Sequence, residues 1–316
     1  MTDTVSRSAA PGGRGPRVVV GVDGSPDSIA ALRAGEWAAA ARGGTLVAVA
    51  AWGSPMIVAR PPVVLPDERE AAMTVLREAI EDAFHGRCIV PIEAVVQSGR
   101  AAAVLVEHSR DADLLVVGSR GHGGFGGLLV GSVSMACTMH AACPVLVLHD
   151  GQAPVAEVAR AGGRVVVGVG GSPASAVVLR AAADAAAEMD AELLAVAAWE
   201  DTLVNPDDYG DYRVELETSA RRSLDTALAE AFPEGRPARL HDVLREGPAA
   251  RVLVDESRNA ELVVVGRSGR SEFAGLLLGS VALPVAEHAE SPVLVVPIPS
   301  GAAPRRSTGD LAGVHA

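Results

Sequence analysis

The residues best suited to chemistry lie in one run: Gly118-Ser119-Arg120-Gly121-His122-Gly123-Gly124-Phe125-Gly126-Gly127-Leu128-Leu129-Val130-Gly131-Ser132. Glycine lets a main chain adopt positive φ and come close to a ligand. The run leads into small residues that suit a helix from Ser132 onward. A helix start presents free N–H groups and the positive end of a dipole, which together seat an anion. The chemistry indicated is a phosphate cradled by main-chain N–H groups, with the Ser132 hydroxyl as a further donor. The other reading is a glycine-rich connection that only turns the chain, and His122 is either a loop residue or a phosphate contact.

Two familiar phosphate loops do not fit. Gly121-x-Gly123-x-x-Gly126 matches the dinucleotide fingerprint as a string. It follows the fourth expected strand, its last glycine opens no helix directly, and no acid lies about 20 residues on. A Walker loop and a kinase-type phosphate site both need lysine. The chain has none, and its 27 basic residues are all arginine.

The elements that must hold this loop follow from the apolar pattern. Short Val/Leu runs alternate with Ala-rich stretches of helical character. Continuous apolar runs suit strands buried on both faces of a parallel sheet, covered by helices through right-handed crossovers. Strands are expected near 17–22, 45–51, 90–96, 114–118 and 144–148, with helices near 26–42, 67–84, 100–110 and 132–142. The glycine loop then emerges from the carboxyl end of a strand, where ligands of open parallel sheets bind. Ser25-Pro26 and Ser172-Pro173 each place a capping serine before a proline at the first helical position.

The pattern occurs twice. Arg17-Val18-Val19-Val20-Gly21-Val22 returns as Arg164-Val165-Val166-Val167-Gly168-Val169, and Leu46 to Trp52 returns as Leu193 to Trp199, each offset by 147 residues. Asp113 to Gly118 returns as Glu261 to Gly266 with an offset of 148. The 316 residues, 49% of them hydrophobic, suffice for two domains of about 150 residues, each burying its own core. Their expected limits are 16–149 and 164–298, with a linker at 150–163 and disordered tails at 1–15 and 299–316.

Bulk properties exclude other classes. A net charge of -12 opposes general nucleic-acid binding, which needs clustered positive charge. No apolar run approaches the roughly 18 residues of a membrane span, and the first residues have no secretory apolar region. Three cysteines, Cys88, Cys137 and Cys143, cannot all pair within the chain; a reduced, cytoplasmic setting is expected. His85, His108, His122, His140, His149, His241 and His288 form no paired metal spacing. Cys137 and Cys143 are expected as buried apolar residues, and Asp111 and Asp113 as solvated turn residues.

The spacing Gly118-x2-Gly121-x9-Gly131-Ser132, repeated as Gly266-x2-Gly269-x9-Gly279-Ser280, resembles the ATP-binding signature of universal stress proteins. The resemblance extends over about 17–148 and 164–297, including Val22-Asp23-Gly24-Ser25. It implies two α/β domains in tandem, Rossmann-like and adenine nucleotide alpha hydrolase-like, each an open five-stranded parallel sheet with helices on both faces. It also implies pairing through the last strands, Val145–Leu148 and Val293–Val296, within one chain or in a homodimer. The ligand implied is an adenine nucleotide, ATP, alone or with Mg2+, and the protein partners are unspecified.

On this resemblance Asp23 is either a turn residue or the contact to ribose, phosphates and Mg2+. Adenine would rest against the main chain near the end of the second strand, from Val49 and Ala50 to about Ala51. The remaining contacts implied are Val22, Gly24, Gly118, Ser119, Arg120, Gly121, Gly131, Ser132 and Val133. In the second copy they are Gly168, Gly170, Gly266, Gly269, Gly279, Ser280 and Val281. Asp23 is the only evident acid near the loop, so the expectation is binding with at most slow ATP hydrolysis. A module that binds partners without nucleotide is the alternative. The second copy departs from the pattern: Gly170 replaces Asp23, Ser271-Glu272 replaces Gly123-Gly124, and Pro284 enters the first turns of the last helix. Weaker or metal-independent binding is expected there.

Overall fold

The computed structural model describes residues 3–6, 15–53, 67–121, 130–149, 163–172, 174–200, 209–267 and 279–298, with 3–6 and 209–211 as backbone only. The middle of each glycine loop, including His122, Gly269 and Glu272, lies outside the described residues, as do Pro173, most of the linker and the C-terminal tail.

In the first half the elements run β2 (Arg17–Gly21), α1 (Pro26–Ala41), β3 (Thr45–Trp52), α2 (Glu68–Phe84), β4 (Ile92–Ser98), α3 (Ala101–His108), β5 (Leu114–Gly118), α4 (Ser132–His140) and β6 (Val145–Leu148). The second half repeats them as β7 (Arg164–Gly168), α5 (Ser175–Glu188), β8 (Glu192–Trp199), α6 (Tyr209–Ala231), β9 (Leu240–Glu246), α7 (Ala249–Ser257), β10 (Leu262–Arg267), α8 (Ala282–His288) and β11 (Val293–Pro297). The third strand of the first half begins at Ile92 instead of near residue 90, because Pro91 supplies no N–H to a ladder.

Burial explains the unbroken apolar strands. In β2, Val18 and Val20 pack against α1, while Val19 packs on the opposite face with Leu105 of α3. All three are 0–1% exposed. Burying each valine contributes about 1.5–3 kcal/mol, and a polar residue at either face would forfeit it.

The sheet is continuous across the two halves, in the order β1-β4-β3-β2-β5-β6-β11-β10-β7-β8-β9, where β1 is Asp3–Ser6. Within each half the five repeated strands run parallel. At the centre β6 and β11 run antiparallel, with Val145, Leu146 and Val147 opposite Val295, Leu294 and Val293. The two five-stranded sheets join within one chain through these last strands. Within the expected N-terminal tail, β1 (Asp3–Ser6) lies antiparallel along β4. Extended backbone on an open edge strand gains a ladder of hydrogen bonds there.

Asp113 is exposed at a bend, as expected of a solvated turn residue, and its carboxylate also accepts from the Arg17 N–H at 2.7 Å, while Glu261 accepts likewise from Arg164. The serine caps differ. Ser25 caps α1, its hydroxyl accepting from Ser28 N–H at 3.2 Å. In the second half the helix starts at Ser175 with Ala174 as its unassisted cap, not Ser172. Asp23 accepts from both the N–H and the hydroxyl of Ser25, at 3.0 and 2.6 Å, and so holds the cap in place. Gly170 has no side chain to hold Ser172.

Candidate functional site

A cleft of about 380 Å3 opens at the carboxyl ends of β2, β3 and β5, between α3 and the start of α4. The sheet places it there: the parallel strands of one half all end on the same side, and the chain must leave each strand to enter a helix. Val22, Asp23, Val49, Gly118, Arg120, Gly121, Gly131, Ser132 and Val133, all singled out in the sequence, line it. Three expected residues stand off the wall. Gly24 serves the turn, at φ +82°. Ala50 points to the opposite face, into the core with α1, because strand side chains alternate; Ala51 lines the cleft in its place. Ser119 is buried, 1% exposed, and its hydroxyl donates to Asp27.

Asp23 and Gly121 face each other closely: a methyl group at Gly121 would collide with Oδ2 of Asp23. The other acid was missed. Asp27, in the first turn of α1 and 8% exposed, accepts from the Arg120 N–H at 3.1 Å and the Ser119 hydroxyl at 3.4 Å. It fastens the start of the glycine loop to α1. Gly118 packs against the same residue, a methyl there lying 2.6 Å from Asp27 Cβ. The small size of Gly118 thus serves helix–strand packing, not only access to a ligand.

The far side of the loop returns beside its start. Gly131 N–H donates to Ser119 O at 2.6 Å, and the Ser134 hydroxyl donates to Gly118 O at 2.5 Å. These bonds aim the N-terminus of α4 into the cleft. Gly131 is the N-cap, and its carbonyl accepts from Met135 N–H at 3.0 Å. The first N–H groups of α4 have no partner within the helix, as at any helix start.

The second half has an equivalent cleft of about 260 Å3, lined by Gly168, Gly170, Gly266, Gly279, Ser280 and Val281. The two walls correspond position by position. Ser28 matches Ser175, Ala101 matches Ala249, and Leu105 matches Leu253. None of these pairs was singled out from the sequence, although the repeat offset would have found them. Three polar residues in or behind the first cleft have no polar counterpart: Asp23, Asp27 and Ser134 become Gly170, Ala174 and Ala282. The helix start differs too. Pro284 has no N–H to give the Ser280 carbonyl, so the helical ladder begins with Val285 N–H to Val281 O, at 3.1 Å. Helix α8 opens two residues later than α4 does, and Pro284 then sits in its first turn without strain.

The cysteines are free thiols. Burial pushes Cys137 and Cys143 up to about 12 and Cys88 to about 11, so they are apolar packing and not nucleophiles. Among the described residues no group of three His, Cys, Asp or Glu side chains could hold a metal. No described helix is long and apolar enough to cross a membrane.

Comparison with known proteins agrees with the duplicated architecture. The chain is 35% identical over 296 residues to Universal stress protein Rv2623 of Mycobacterium tuberculosis, covering 88% of this chain and 95% of that protein. It is 33% identical over 292 residues to a universal stress protein of Mycolicibacterium smegmatis, covering 88% and 96%. The crystal structure of a universal stress protein from Archaeoglobus fulgidus superposes with a TM-score of 0.62 at 17% identity, covering 90% of this chain and 97% of that one. The sequence model of the universal stress protein family matches residues 16–149 and again 163–297, so the chain belongs to that family, as a tandem of two of its domains.

Proposed function

We propose that the first half binds ATP together with Mg2+, and that the protein acts as a nucleotide-dependent regulator in the stress response of the cytoplasm without efficient catalysis. One observation carries the reading: Asp23, Gly121 and the N-terminus of α4 converge on a single cleft at the strand ends. The free thiols agree with a reduced compartment.

The donor set suits a metal-bound nucleotide. Mg2+ is commonly held by one or two carboxylates plus phosphate oxygens and waters, and Asp23 supplies one carboxylate. The N–H groups at the start of α4 and the Ser132 hydroxyl suit phosphate oxygens. Val22, Val49 and Leu105 give an apolar surface for the base. When bound, the ion neutralises phosphate charge. Among the described wall residues Asp23 is the only acid and no histidine is present, and Asp23 is engaged by the ion in this reading, which leaves retention of the nucleotide with at most slow turnover. The second cleft, with Gly170 in place of the acid, takes nucleotide more weakly and without metal.

The test is to denature freshly purified protein and to identify and count the nucleotide released. About one ATP per chain is expected, and about two would mean that the second half tolerates the loss of its acid. No nucleotide, together with no signal on titration with ATP and Mg2+, would leave an interaction module in which the loops are structural.

A further inference from the structure

Helix α4 belongs to both halves. Its N-terminus forms part of the first cleft through Gly131, Ser132 and Val133. Along its length Cys137 packs in the core of the first half, while Met135 and Met139 pack against the core of the second. Its C-terminal carbonyls are met by a side chain from the other half: Nη1 of Arg267 donates to Ala141 O at 2.9 Å and to Thr138 O at 3.3 Å. A helix end leaves such carbonyls without partners, and a cation there also complements the dipole.

Arg267 is the last residue of β10 and follows Gly266 on the wall of the second cleft. The guanidinium that fixes the far end of α4 is therefore anchored where the glycine loop of the second half begins. The link does not repeat in reverse. The counterpart of Arg267 is Ser119, which is buried and turned to Asp27. The first half instead reaches α8 with His149, whose Nε2 donates to Ala286 O at 2.8 Å.

We infer that Arg267 is a positioning residue through which the second half sets the nucleotide affinity of the first cleft, and that occupancy of either cleft is felt at the other. The inference rests on the nucleotide reading above. A helix of nine residues is a rigid rod of about 14 Å. A shift at its C-terminus moves the N–H groups at its start, and cradling of phosphate needs those groups in place. Thermodynamic reciprocity makes the same coupling act backwards.

The test uses the full chain, with ATP and Mg2+ as the probe, read by titration calorimetry and by hydrogen exchange over Ser132–His140. Arg267→Met is expected to weaken binding at the first cleft by about fivefold or more, the lower range of site-to-site coupling, and to speed exchange along α4. Arg267→Lys, which keeps the charge without the fork, is expected to lie between the two. Unchanged affinity in a folded R267M protein overturns the inference while leaving the nucleotide reading intact. Absence of binding by the wild type overturns both. Should R267M fail to fold, the wild type decides at nucleotide concentrations that fill only the first cleft: ligand-induced protection that reaches Val265 to Arg267 then supports the link, and protection confined to the first half overturns it.

Discussion

The carboxylate of Asp27 and the main-chain N–H of Arg120 are joined by a 3.1 Å hydrogen bond across 93 residues of sequence. This bond fixes where the glycine loop leaves β5. Asp27→Ala, which copies Ala174 of the second half, leaves a part-buried N–H and a buried serine hydroxyl without their acceptor. The expected loss is about 1–3 kcal/mol of stability, with weaker ATP binding at the first cleft. Asp27→Asn keeps an acceptor oxygen and should retain most of both. Chemical denaturation alongside nucleotide titration checks the pair, and equal behaviour of the two variants would refute the role of the carboxylate.

Gly118 and Gly131 look interchangeable as loop glycines but should respond differently. Alanine at 118 would place a methyl 2.6 Å from Asp27 Cβ and 3.0 Å from its carbonyl carbon. Overpacking of that kind costs about 1–3 kcal/mol, so Gly118→Ala should lower the melting temperature. At Gly131 the nearest atom is Ser119 O at 3.3 Å, and the backbone is extended with φ at -72°. Gly131→Ala should keep the fold and lose affinity. Thermal melts with and without ATP separate the two outcomes.

Acid should weaken the seam between the halves. Burial lowers the pKa of His149 below its ordinary 6.5, against the opposing pull of the Ala286 carbonyl and the Asp27 carboxylate; Arg120 pushes it further down. Burial lowers His108 as well, with Glu107, Glu93 and Asp111 opposing and Arg17 adding to the shift. Folded pKa values below the unfolded value mean that the unfolded chain takes up protons first. The contribution is fully present above about pH 6.5 and fades as the pH falls below it. Denaturant titrations between about pH 5.5 and pH 7.5 should show stability rising with pH. His149→Gln, which still donates to Ala286, should flatten part of that slope. A slope identical to that of the wild type would exclude His149 as a source.

The second cleft should accept the missing acid. A Cβ at Gly170 meets nothing within 4 Å, so Gly170→Asp fits without strain. Combined with Pro284→Ala, which restores an N–H for the Ser280 carbonyl, it should make binding in the second half sensitive to Mg2+. Nucleotide stoichiometry with and without a chelator reads the result, and a stoichiometry unchanged by the double substitution would disprove the account of asymmetry.

The strands were legible because burial on both faces demands uninterrupted Val and Leu. The repeat made the second half legible from the first. Within the site, glycines and Asp23 were visible because they sit in the loops that follow strands. Asp27 was not. Beside a capping serine and a proline it looks like an ordinary first-turn acid, and only the approach of β5, distant in sequence, reveals its partner. Arg267 was hidden for the same reason: its acceptors are carbonyls, which carry no sequence signal.

The antiparallel contact of β6 with β11 has a consequence for how the two clefts came to differ. A dimer of identical chains must carry the same residue at both of its sites, so any change in one appears in the other. Here the pairing surface is internal and each half always has its neighbour at hand, whatever the protein concentration. One half is thereby free to lose its acid, its loop anchor and the first turn of its last helix while the other keeps all three. The chain is in effect a permanently matched heterodimer written as a single polypeptide.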